Sequence, residues 1–127
     1  MTALAASGPV TLTIPVDPVF IRLARLVATG FASQMAATVA DLDDVRTVVD
    51  ELCSLLLAQS GPGDQITITL TADDGVLRAT AAAPSRRPWE PDELSEGIVR
   101  VLADDYRVDQ VDGHVELVVA KSVELPS

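Results

Sequence analysis

Residues 38 to 60 constrain the fold of this chain more than any other stretch. Thr38, followed three residues later by Asp41, has the spacing of a capping box, and Gly61-Pro62-Gly63 stops a helix, so the segment is predicted to be helical through Ser60. Projected at about 100° per residue, Leu42, Val45, Val49, Leu52, Cys53 and Leu56 share one face, and Val48 and Leu55 widen the apolar arc to about 200°. An arc that broad has to be buried against more than one neighbour. A chain of 127 residues can supply one such core, with folding removing about two thirds of the accessible surface of the unfolded chain.

The flanking segments supply the neighbours. Val10, Leu12 and Ile14 alternate with Thr11 and Thr13 in a short strand ended by Pro15. Asp17 at an N-cap and Pro18 at the first helical position open a helix in which Phe20, Leu23, Ala24, Val27 and Phe31 follow at spacings of three and four, to about Ala36. Gln65 to Thr71 and Val76 to Ala82 are two strands joined through the hairpin signal Asp73-Asp74-Gly75. Ala83 to Pro91 holds three prolines and Arg86-Arg87 and reads as a loop. A helix from Asp92 to about Asp104 carries Leu94, Ile98, Val101 and Leu102 on one side, and a last hairpin follows, Tyr106 to Val111, Asp112-Gly113, then His114 to Ala120. The predicted class is α+β, in the order β-α-α-β-β-α-β-β: a two-layer α/β sandwich whose five-stranded, mostly antiparallel sheet carries three helices on one face. Residues 1–8 read as a loose leader, 9–121 as a single domain and 122–127 as a tail.

Composition narrows the function. Nineteen acids against nine bases give a net charge of −10, which argues against direct nucleic-acid binding by phosphate neutralisation. Aromatic residues make up 3% of the chain, too few for a base-stacking platform. Apolar residues reach 48% despite the charge, so the chain is expected to fold and to keep some apolar surface for a partner. The uncharged stretch Leu26 to Ala40 is interrupted by Thr29, Gly30, Ser33 and Gln34, and the amino-terminal residues lack a basic region. The expectation is a cytoplasmic protein without membrane attachment. One cysteine, Cys53, leaves no intrachain disulfide, and one histidine, His114, leaves no histidine-based metal cluster. Cys53 falls on the apolar arc and is expected to be a buried, inert thiol, and His114 an exposed residue after a turn.

Asp43-Asp44-Val45-Arg46-Thr47-Val48-Val49-Asp50-Glu51-Leu52-Cys53, preceded by the strand and the Asp17-Pro18 helix, resembles the RsbW-type anti-sigma factors, which are serine-protein kinases of the histidine-kinase-like (GHKL, Bergerat-fold) ATPase superfamily. The closing segment Ile98 to Val108 and its hairpin resemble the last helix and strands of that family. The resemblance implies a long helix carrying a Glu that acts as general base and, one turn later, an Asn that holds Mg²⁺ against the ATP phosphates. Glu51 matches the Glu, but Leu55 stands where the Asn belongs and offers no oxygen to a hard cation. The family's Asp-x-Gly-x-Gly motif should fall near Ala81-Ala82-Ala83-Pro84-Ser85, which has neither the Asp nor the glycines of a phosphate cradle. The resemblance thus supports the scaffold while the motif residues argue against the chemistry, and no cofactor is expected.

Glu51 is at most a vestigial general base, since without metal or nucleotide it has nothing to activate; its alternative is a solvated or Arg-paired surface carboxylate. Arg46, four residues before Asp50, reads as a helix-surface ion pair. Asp41, Asp43 and Asp44 complement a helix N-terminus and only secondarily face a partner. The loop Pro84 to Trp89 lies where the family folds a lid over ATP; there Trp89 covers a core edge with the arginines solvated, or the loop joins an interface. The candidate partner-binding residues are Asp17, Arg22, Arg25, Asp41, Asp44, Arg86, Arg87 and Trp89. By resemblance the chain sequesters an alternative sigma factor, is released by a STAS-domain anti-anti-sigma factor, and forms a homodimer. The rival readings are an active ATP-dependent serine kinase of the antagonist and an interaction or ligand-binding module unrelated to sigma factors.

Overall fold

The computed structural model describes residues 8–123. The elements follow the predicted order: β1 (Val10–Pro15), a 3-10 turn (Pro18–Phe20), α1 (Ile21–Ala32), α2 (Val39–Gln59), β2 (Gln65–Asp73), β3 (Val76–Pro84), α3 (Glu93–Leu102), β4 (Asp105–Val111) and β5 (His114–Ser122). The strands form one sheet in the order β1-β2-β3-β5-β4, and every neighbouring pair is antiparallel. The expected α+β class is what the molecule adopts. No helix of the described residues is long and apolar enough to cross a membrane.

The capping box of α2 forms as the spacing requires. The Asp41 amide donates to Thr38 Oγ1 at 3.0 Å, and the Thr38 amide donates to Asp41 Oδ2 at 3.0 Å. Val45, Val48, Val49, Leu52, Cys53, Leu55, Leu56 and Gln59 are all buried, so the wide arc is used in full. It meets α1 on one side, α3 on the other, and β3 beneath. On β3 the inward residues above Leu77 are Ala79, Ala81 and Ala83, each about 1% exposed. These small side chains leave room for α2, and larger ones on the neighbouring strands, Ile66, Ile68, Leu70, Val115, Leu117 and Val119, fill the core around it. Among the described residues the opposite face of the sheet, with Thr67, Thr69, Arg78, Thr80 and Glu116, carries no helix and is not buried.

Both hairpins close on the expected residues. In the two-residue loop between β2 and β3, Asp74 and Gly75 have φ of 50° and 75°, the twist that lets antiparallel strands continue without splaying. Gly113, with φ of 78°, turns β4 into β5.

The first helix departs from expectation at both ends and in part of its buried face, where Ala24 and Phe31 are buried as expected. Asp17 caps it as expected, its Oδ1 accepting from the Val19 amide at 3.0 Å, but the first turn is 3-10. The α-helix ends at Ala32 rather than Ala36, because Ser33 Oγ donates back to Gly30 and the chain leaves through tight bonds from Gln34 to Phe31 and from Met35 to Ala32. Its buried residues are Ile21, Ala24, Ala28, Phe31 and Ala32, so the face is set by small residues that allow close approach to the core. Phe20, Leu23 and Leu26 are left facing outward.

At the other end of the chain, β5 runs to Ser122, and Val123 is buried with its amide donating to Gly75 O at 2.9 Å. Packed structure therefore reaches two residues beyond the expected domain end at 121. Of the expected leader and tail, residues 1–7 and 124–127 lie outside the described residues.

Truncating Leu52, 1% exposed between α2 and the sheet, is expected to cost about 2–5 kcal/mol, and Thr38→Ala about 1 kcal/mol, in urea unfolding followed by circular dichroism. A Thr38→Ala effect as large as that of Leu52→Ala would contradict this account of α2.

Candidate functional site

The carboxyl-terminal end of α2 and the segment from Ser85 to Glu90 form the most heavily hydrogen-bonded corner of the molecule. Gln59, 5% exposed, holds it together. Its Nε2 donates to Ser85 Oγ at 2.8 Å, to the Pro88 carbonyl at 3.0 Å and to the Arg87 carbonyl at 3.1 Å, while its Oε1 accepts from the Glu90 amide at 3.4 Å. Ser60 Oγ donates to the Pro84 carbonyl, and Gln110 of β4 reaches Arg87 O and the Trp89 amide from the far side. Arg87 donates to the Ala58 carbonyl, placing a cation at the helix end where the dipole is negative. Arg86 pairs with Asp64 at 3.2 Å. This arginine, with the Gly61 amide, holds the Asp64 carboxyl below its ordinary range. Trp89 packs, half-buried, against the core edge. The segment is thus a tethered strap.

Two turns back along α2, Glu51 is half-buried and makes no ion pair among the described residues. Leu55 is 2% exposed and sits in the core. Cys53 is fully buried, and burial, reinforced by the Asp50 charge, pushes its thiol up to about 12. The stretch from Ala81 to Pro84 belongs to β3, and the Ser85 amide that follows donates to Gly113 O at 2.8 Å, so no glycine loop follows that strand.

No family model matches the chain and no curated protein does. Solved structures do match. The structure of the RsbU and RsbW domains of Rv1364c from Mycobacterium tuberculosis superposes with a TM-score of 0.77 at 15% identity, over 95% of this chain. This chain spans 34% of that one. The fold is the RsbW-type GHKL fold. The catalytic domain of the histidine kinase ThkA, in a nucleotide-free form, agrees: TM-score 0.56 at 12% identity, covering 91% of this chain and 98% of that one.

On this RsbW-type fold the residues singled out in the sequence do not gather in one place. Asp41 and Asp44 belong to the start of α2 and Arg86, Arg87 and Trp89 to its end, a separation of about 20–25 Å along the helix axis. Asp17 lies at the end occupied by the strap, since the adjoining Val16 amide donates to Asp64 O at 3.0 Å. Most of the charges are already engaged. Asp41 is in the capping box, Asp44 pairs with Lys121 of β5 at 3.1 Å, and Arg25 lies 3.6 Å from Asp50. Arg46 bonds Asp43 at 3.0 Å instead of the expected Asp50, which faces Arg25. Arg22 and His114 are exposed. Sequence reasoning missed Gln59. An amide seven residues after Leu52 on the same apolar arc must be buried, and a buried amide needs partners; that was the available signal.

Replacing Gln59 with Leu removes the donor shared by three oxygens and is expected to cost about 1–3 kcal/mol. Limited trypsin digestion should then cut the Arg86-Arg87 bond faster than in the parent, and an unchanged rate would show that the amide does not hold the strap. Asp64→Asn should destabilise the protein near neutral pH. Because the folded-state carboxyl titrates low, this contribution is present above the ordinary carboxylate pKa and lost as pH falls through the depressed one. The two melting curves should therefore converge on acidification.

Proposed function

We propose that this chain is an RsbW-like regulator that works by binding protein, an anti-sigma factor that sequesters an alternative sigma factor without ATP chemistry and is released by a STAS-domain antagonist. The observation that carries the reading is the position of Leu55. It takes the place of the metal-holding Asn and is packed in the core rather than directed at a ligand. A buried leucine gives Mg²⁺ no oxygen, and the strap tethered by Gln59 lies where the resemblance places the ATP lid. These residues do not fit a magnesium nucleotide, so the reading assigns the protein no reaction and treats Glu51 as a surface carboxylate.

Two features support protein binding instead. The outward flank of the 3-10 turn and α1 exposes Val19, Phe20, Leu23 and Leu26 next to the charged Asp17 and Arg22, an apolar patch with a polar rim of the kind interfaces use. The net charge of −10 favours a partner with a basic docking surface and an association that slows with salt. On this reading the protein acts in the cytoplasm, where sigma factors work, and the same flank serves a homodimer or the sigma factor.

Three measurements test it. Saturating Mg-ATP or Mg-ADP should leave the melting temperature unchanged, whereas a real site at a hundred times its dissociation constant adds about 2.7 kcal/mol and several degrees. A magnesium-dependent rise would favour an active kinase. Leu55→Asn should lower stability by about 2–5 kcal/mol through a buried amide and gain no nucleotide binding. Co-expression with the sigma factors of the same genome should yield a complex, weakened by Leu23→Glu. Asp17→Asn keeps the capping oxygen while removing the charge, so it should slow association without altering stability. If no sigma factor co-purifies and another protein or a small molecule does, the anti-sigma reading fails.

A further inference from the structure

Helix α3 packs against α2 on one side and leaves its other side uncovered. Val99 is its one buried residue, and Glu96 and Arg100 join it to β4, Tyr106 Oη donating to Glu96 Oε2 at 2.7 Å and the Arg100 guanidinium lying 4.8 Å from the Tyr106 ring centre. Leu102 packs partly against the core, but Leu94 and Val101 point the other way. Leu94 is 74% exposed and Val101 82%, and together with Gly97, Ile98 and Leu102 they line an open depression of about 430 Å³. The spacing 94, 97, 98, 101 is that of a helix face built to meet another helix. At its centre Gly97 has open space where a Cβ would stand, so a second helix backbone can approach closely.

Charge identifies the occupant. Glu90, Asp92 and Glu93 are exposed at the amino-terminal end of the stripe, and Asp104 and Asp105 are exposed at its carboxyl-terminal end. The first group suits a helix N-terminus, and Asp104 accepts from the Ser122 amide at 2.6 Å. Asp105 serves neither purpose and sits where the helix dipole disfavours an acid. Arg100, the only base on α3, already faces Glu96 and the Tyr106 ring. A second copy of this chain is a poor occupant, because parallel or antiparallel crossing alike sets acids against acids. We propose that the outward face of α3 is a docking groove for an amphipathic helix of another protein, apolar along one stripe and carrying Lys or Arg at both ends. This groove is separate from the α1 flank and does not depend on the partner there being a sigma factor.

The probes are two synthetic helical peptides of about 18 residues sharing one leucine stripe, one with lysines at both ends and the other with glutamates. Each is titrated into the isotope-labelled full chain, with affinity from fluorescence anisotropy at low and moderate salt and location from amide shifts. The lysine peptide should bind at least about tenfold more tightly than the glutamate peptide, a difference of about 1.4 kcal/mol, lose affinity with salt, and shift amides of residues 93–102. Leu94→Lys and Val101→Lys change exposed positions and should each weaken it about tenfold with an unchanged melting temperature. Equal affinities, no binding, shifts centred on α1, variants that bind like the parent, or self-association through α3 would each overturn the proposal. No sigma sequence is present, so failure to capture a sigma factor leaves this result standing.

Discussion

Everything in this molecule is arranged around the burial of one helix on three sides. A helix with an apolar arc of about half its circumference needs a floor and two walls. The floor is β3, where Ala79, Ala81 and Ala83 let α2 settle close to the sheet, and the walls are α1 and α3. The polar cost of ending such a helix inside the structure is met locally. Thr38 and Asp41 satisfy each other at one end, and at the other the Ala58 carbonyl accepts from Arg87 while Gln59 binds the strap. A helix held along its whole length by apolar contacts and tied at both ends fixes the position of everything packed on it.

That arrangement bears directly on chemistry. In the RsbW-type fold the resemblance places the metal ligand one turn after Glu51, on this helix. A residue at that place can face a ligand only if nothing packs against it. Leu55 is buried in the core, and the strap beyond β3 is pinned to the helix end by an amide that donates to three oxygens. The two features act together: the leucine adds to the core at a place where an asparagine would need an oxygen-rich, open cleft, and the tether restricts the segment that would have to move over such a cleft. The proposed function accordingly rests on outer surfaces.

Much of the fold was legible from residues 38 to 63, because capping, the width of the apolar arc and the glycine-proline stop act locally and survive in the tertiary structure. Both hairpin turns were legible for the same reason, since Asp74-Gly75 and Gly113 answer a backbone requirement that few other residues meet. The buried face of α1 was legible only in part. Spacing placed Ala24 and Phe31 inside, as they are, but also Phe20 and Leu23, which are exposed, while Ile21, Ala28 and Ala32 complete the buried face. The charge pairing also escaped. Arg46 had Asp43 and Asp50 within reach, and the choice was made by Arg25 of the neighbouring helix, which no local pattern reveals. Gln59 was overlooked because polar residues read as surface, although its phase with Leu52 and Leu56 put it inside.

What remains exposed is then informative by contrast. The chain satisfies its core with alanine, valine and leucine while leaving Leu23, Leu26, Leu94 and Val101 outside. Single exposed aliphatics are ordinary, but these fall in two separate stripes on the two outer helices, each beside charged residues. The helices differ in how they are anchored. Helix α1 buries five residues and α3 only one, Val99, and α3 packs on α2 with Glu96, Tyr106 and Arg100 adding polar contacts to β4. Helix α3 therefore carries aliphatic residues on both sides, Val99 inward and Leu94 and Val101 outward. On an acidic molecule such a helix keeps itself in solution through the acids at its ends, and those same acids determine which helices it can accept.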